Sequence, residues 1–131
     1  MTPFKLTEAL LEEIALLISN KDNKALKALL LDIHFADVAE IVNELNSEEA
    51  TYLIKLLDSE KTSDILTELD EDMRESILAN LSAKEIAEEL DELDTDDAAD
   101  IVAELPTEMI GKVISALEDR DHAKDIVDLL R

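Results

Sequence analysis

The chain has 131 residues, 47% apolar and 35% charged, with only Phe4, Phe35 and Tyr52 as aromatics, so any core is built from Leu, Ile, Val and Ala. One glycine, Gly111, and two prolines, Pro3 and Pro106, argue against a sandwich or barrel, which needs many turn glycines and β-branched or aromatic strands. Thirty-four Asp and Glu against twelve Lys and Arg leave a net charge of −22, which repels nucleic acid and anionic lipid, and no cysteine is present for a disulfide or a thiolate metal site.

In chain order, Met1 to Leu6 lacks the basic and apolar regions of a signal peptide. Thr7 then predicts the cap of a helix running from Glu8 to Ser19, Asn20 and Lys21 form a joint, and Asp22 caps a second helix through Asn23 to Ile33. These two elements are the leading helix pair, residues 1–34. Apolar runs such as Ile14 to Ile18 and Ala28 to Leu31 are too short to span a bilayer. The segment therefore reads as soluble and cytoplasmic, without direct membrane contact.

From residue 35 onward the sequence repeats. Leucine recurs at positions 45, 57, 69, 81, 93, 105, 117 and 129, a spacing of twelve, and three residues before each stands Val42, Ile54, Leu66, Leu78, Leu90, Val102, Ile114 or Ile126. Positions three apart share a helix face. Between the pairs lie capping groups, Asn46-Ser47, Asp58-Ser59, Asp70, Ser82, Asp94-Thr95, Thr107 and Asp119, each starting a new short helix. Helices this short are marginal alone and must stack. Val38-Ala39, Thr62-Ser63, Ile86-Ala87 and Ile110-Gly111 alternate with units carrying Ala50, Arg74, Ala98 and His122, which predicts a true period of twenty-four and close packing through the small residues. The expected fold is all-α, a superhelical solenoid of about ten short helices in a single domain, 1–131, with the repeat array over 35–131.

The stretch His34-Phe35-Ala36-Asp37-Val38-Ala39-Glu40-Ile41-Val42 resembles the opening of the N domain of the MgtE family of bacterial magnesium channels, with Phe35 where that pattern has proline. Leu93-Asp94-Thr95-Asp96-Asp97-Ala98-Ala99-Asp100-Ile101-Val102 is similar to the family's Asp-Asp-x-Ala-Asp repeat, and the leading pair matches its start. The resemblance implies a cytosolic regulatory domain that senses intracellular Mg²⁺ through acidic residues. It further implies that Mg²⁺ ions bridge this domain to adjoining CBS modules, holding closed the transmembrane pore of a homodimeric inner-membrane protein. Matched to the motif, Asp96 and Asp100 are expected to face the CBS modules, with Asp97 beside them and Asp64 as a further metal candidate.

The residues themselves allow that chemistry. From Glu88 to Asp100 the chain places Glu88, Glu89, Asp91, Glu92, Asp94, Asp96, Asp97 and Asp100 with no basic residue among them, and Asp96 and Asp100, four apart, share a helix face. Mg²⁺ keeps most of its waters and takes one or two carboxylates, so such an edge suffices as half of a site. The same acids also serve as N-cap and first-turn groups toward the helix dipole on a solvated face. An EF-hand is excluded, because Ala98 stands where the loop needs an oxygen ligand and no glycine follows.

Nothing nominates an enzyme. His34 and His122 lie at opposite ends of the array, His34 reads as a turn residue, and Ser47, Ser59 and Ser82 read as caps. Met73, Met109 and Tyr52 read as packing residues. A second functional class stands beside the sensor, a helical-repeat protein-interaction scaffold related to the flagellar rotor switch protein, whose partner binding would be indifferent to divalent ions.

Overall fold

The computed structural model describes residues 4–131, which form ten α-helices and, among the described residues, no strand. They are α1 (Glu8–Ser19), α2 (Asn23–Leu31), α3 (Phe35–Asn43), α4 (Ser47–Leu56), α5 (Ser59–Glu68), α6 (Glu71–Ala79), α7 (Ala83–Asp91), α8 (Thr95–Glu104), α9 (Thr107–Ala116) and α10 (Arg120–Leu129). Pro3 lies outside the described residues.

The helices start where the caps predict. Thr7, Asp22, Asn46, Ser82 and Asp119 each accept a backbone N–H with the side chain, and Asn46 and Ser82 complete capping boxes with Glu49 and Glu85. Asp58, Asp70 and Asp94 occupy the cap position without a side-chain bond. Thr107 is not a cap: Pro106 takes that place with φ −56 and ψ 144, and Thr107 becomes the first helical residue. α2 also ends at Leu31, two residues before the predicted Ile33, where the Ile33 N–H turns back to the Leu30 carbonyl at 3.2 Å.

The caps of α3 to α9 fall at 34, 46, 58, 70, 82, 94 and 106, a strict spacing of twelve, and each is preceded by an aliphatic residue. The repeated leucine is therefore a joint residue rather than a helix-face residue. Leu45, Leu69, Leu81, Leu93, Leu105 and Leu117 turn their N–H onto the carbonyl three residues back, at 3.0–3.4 Å, the companion aliphatic of each pair. This tightened last turn needs no left-handed residue. Lys21, φ 54, in the α1–α2 joint, is the sole residue at positive φ among those described.

Leu129 departs from the pattern. The last cap is Asp119, one residue late, so Leu130 takes the joint role, and Leu129 ends α10 with 52% of its surface exposed.

Helices pack on the next but one. α3 lies on α5, α5 on α7 and α7 on α9, while α4 lies on α6 and α8 on α10, as the twenty-four-residue period predicts; α1 packs on α2 and α4. Ala39, Ser63 and Ala87 are buried at these contacts. Gly111 is not: it is exposed, with nothing within 4 Å of where a Cβ would stand. Within the described chain no odd-numbered helix follows α9, so its small residue meets no partner.

The period also recurs in polar links between turns. Asn43 Oδ1 accepts the Asp70 N–H and Asp91 Oδ2 accepts the Glu118 N–H, both at 3.0 Å and both twenty-seven residues on. α6 and α8 make no packing comparable to their neighbours.

Candidate cation-binding edge

The first turn of α8 carries Asp96 and Asp97, favourable toward the helix dipole, and Asp100 follows one turn later. All three are exposed. Asp96 and Asp100 line a shallow hollow with Ala99 and Ala103 of α8 and Leu129 and Leu130 of α10. Asp97 and Asp100 also face a second hollow, shared with Thr67, Arg74 and Glu104. Asp100 thus stands with Asp96 at one hollow and with Asp97 at the other, while Asp96 and Asp97 share neither. Asp64, exposed on α5, lines neither hollow.

The two aspartates of the pair differ in surroundings. Arg74 donates from Nε to Glu104 Oε2 at 2.8 Å and from Nη2 to Glu104 Oε1 at 2.6 Å, and its Nη1 reaches the Leu66 and Leu69 carbonyls. The Glu104 hydrogen bonds hold its guanidinium above its ordinary pKa despite burial, and the charges of Glu104, Glu71 and Asp100 add to this. Asp100 therefore already feels a cation, whereas Asp96 lies toward the apolar ledge. Among the described residues no three acidic or imidazole groups converge as a metal cage. The edge fits Mg²⁺ only as a half-site, because that ion accepts one or two carboxylates and keeps its remaining waters.

Other cations are engaged by helix-end carbonyls. Lys61 donates to the Leu30 carbonyl at 2.6 Å, Arg120 to the Ile114 and Leu117 carbonyls at 3.0 Å, and Arg74 to the end of α5 as above. Positive groups at helix C-termini are favourable to the macrodipole, and here they leave the exterior more acidic still.

Both histidines bond the backbone, one as acceptor and one as donor. His34 Nδ1 accepts the Ala36 N–H at 3.1 Å and caps α3, with its ring 4.3 Å from that of Phe35. His122 Nε2 lies 3.0 Å from the Leu90 carbonyl, which can only accept, so that nitrogen carries the proton and Nδ1 faces the Thr95 hydroxyl.

One member of the acidic run is not on the surface. Glu89 is 6% exposed, and Thr62, fully buried on α5, places its hydroxyl 2.7 Å from both carboxyl oxygens. A single hydroxyl proton serves one oxygen of a carboxylate, whereas a carboxylic acid can donate to the hydroxyl in return, so the geometry suits the neutral acid. Burial pushes its pKa up to about 7 against the hydrogen bond from Thr62, and the charges of Glu88 and Glu92 push the same way. The repeat carried the signal that sequence reasoning missed: Glu89 stands in register with Ile41, Leu53, Ile65, Ile77, Ile101 and Val113, all buried.

A family model described as the MgtE intracellular N domain matches residues 33–131. The crystal structure of the soluble part of a magnesium transporter shares the fold at a TM-score of 0.79 and 22% identity, covering 95% of this chain and 49% of that one. The chain thus spans about half the length of that structure. No curated protein sequence matches.

Proposed function

The chain belongs to the MgtE intracellular N domain family, and from that premise we propose that it is the cytosolic regulatory domain of a magnesium channel or transporter, sensing intracellular Mg²⁺ and helping to gate the pore. Its partners are CBS modules and the transmembrane pore of the same protein, assembled as a homodimer, and residues 1–131 act as one domain. The observation that carries this reading is the exposed Asp96–Asp100 pair on a helix free of Lys and Arg, beside the apolar ledge of Ala99, Ala103, Leu129 and Leu130.

Bound Mg²⁺ would supply a double positive charge whose waters and open positions a second acidic surface can share. Asp96 and Asp100 would hold it from one face of α8. Asp97 strengthens the local negative potential, and Asp64 serves a separate contact from α5. When Mg²⁺ is scarce, the acidic edge repels an acidic CBS surface and the modules part; the apolar ledge alone is too small to hold them.

The test uses the full-length protein. Changing Asp96 and Asp100 together to Asn is expected to raise the Mg²⁺ concentration needed for closure and for protection from proteolysis by about tenfold or more. An unchanged Mg²⁺ dependence in both measurements would remove these residues from the sensor.

A second reading, the protein-interaction scaffold, is favoured by one observation, the cleft between α6 and the joint of α8 with α9. Partner binding that survives chelation of divalent ions marks that function.

A further inference from the structure

In the even-numbered helices the fourth and fifth positions after the cap are small in α4, Ala50-Thr51, and in α8, Ala98-Ala99. α6 carries Arg74-Glu75 there. α6 packs little against α8, and the bidentate Arg74–Glu104 pair spans the seam. Beneath it lies a cleft of about 460 Å³ with Leu78, Leu81, Ile86, Leu105 and Met109 along its walls and Glu75 and Glu104 at its rim.

We propose that this cleft is a docking groove for a basic amphipathic segment of a partner protein, which inserts apolar anchors against Leu78, Leu105 and Met109 and sets Lys or Arg against the rim. Its volume admits roughly two or three large apolar side chains, the number that one face of a short helix presents. The charge requirement is local. No Lys or Arg occurs between Lys84 and Lys112, and the only cation of α6, Arg74, is committed to Glu104 and to the end of α5. Glu75 is exposed and has no cation within ion-pair distance among the described residues. Glu104 is already answered by Arg74, so the unpaired charge at the rim is Glu75; an acidic or purely apolar segment would leave it unanswered, whereas a basic one gains both steering and specificity from it. None of Asp96, Asp97 and Asp100 lines the groove, although Glu104 borders both it and the Asp97–Asp100 hollow, so occupancy should not need Mg²⁺.

The probe is a synthetic helical peptide with Leu on one face and Lys elsewhere, titrated into the methyl-labelled 131-residue chain at physiological salt with a chelator present. Expected are shifts of the Leu78, Leu105 and Met109 methyls. Affinity should fall by about tenfold in Ala79→Phe, which fills the cleft from an exposed position, and fall again in Glu75→Lys. Because both changes are at exposed residues, unaltered melting of at least one keeps the comparison interpretable. Shifts scattered over the acidic helices, equal binding of a Glu-for-Lys peptide, or the same methyls moving on protein dilution without peptide, which would mark a second copy as occupant, each overturn the proposal.

Discussion

Glu89 is the residue whose chemistry departs furthest from its neighbours. Its acid form suits the fold, and its pKa is raised from 4.5 to about 7, so the stability it contributes is complete below pH 4.5 and is lost as pH rises through 7. The loss is on the order of 3 kcal/mol above pH 8. Glu89→Gln keeps a neutral partner for Thr62 and should match the wild-type chain at pH 5 but exceed it at pH 8, as urea melts at the two pH values would show. Equal pH slopes would mean that Glu89 is ionised throughout. This residue was hidden in the sequence because a glutamate within an acidic run reads as surface; only its place in the twelve-residue register reveals the burial. The caps at Thr7, Asp22, Asn46, Ser82 and Asp119 were legible, since a polar side chain before an apolar run has a local reason to be there. At Asp58, Asp70 and Asp94 the residue type is right but the bond is absent. Thermal melts should therefore separate them: Ser82→Ala costs about 1 kcal/mol, and Asp94→Ala costs less than about 0.5 kcal/mol.

At the scale of the helix, stability comes from joints as much as from faces. Each leucine that closes a unit tightens the end of the helix before it without a left-handed residue, which is why the joints dispense with glycine. Leu117, 3% exposed, and Leu129, 52% exposed, occupy the same place in the sequence repeat but not in the fold. Leu117→Ala should cost about 2–4 kcal/mol in chemical denaturation and Leu129→Ala within about 0.5 kcal/mol, and equal costs would contradict the shifted register at Asp119. That shift was not legible, because the leucine count continues unbroken through position 129 while the inserted turn residue, Glu118, has no distinguishing composition. The seam at α6 was legible in part: Arg74 stands in register with Ala50 and Ala98, so its bulk was visible, but its partner Glu104, thirty residues on, was not.

Across the whole molecule, charge is unevenly placed. The leading pair, residues 1–34, holds four of the twelve Lys and Arg and five of the thirty-four Asp and Glu, so nearly all of the net charge of −22 belongs to the array. Three of the array's cations, Lys61, Arg74 and Arg120, are committed to helix-end carbonyls. The result is an acidic body suited to meeting a cation or a cation-bridged surface, with strong dependence on ionic strength. Asp96 and Asp100 line one hollow, in keeping with their spacing of four, and Asp97 meets Asp100 at another; the apolar ledge beside the first, and the separation of Asp64 on α5, follow from packing between units that residue spacing alone does not state.

The central claim is that this edge is half of a Mg²⁺ site completed by an adjoining module. Backbone amide spectra of the chain, alone and joined to the CBS modules, titrated to millimolar Mg²⁺, test it most directly. The expected result is weak, local perturbation at Asp96 to Asp100 in the chain alone and tighter binding at the same amides when the modules are present, abolished by Asn at 96 and 100. Amides in that segment that stay unmoved by Mg²⁺ even with the modules attached would contradict it.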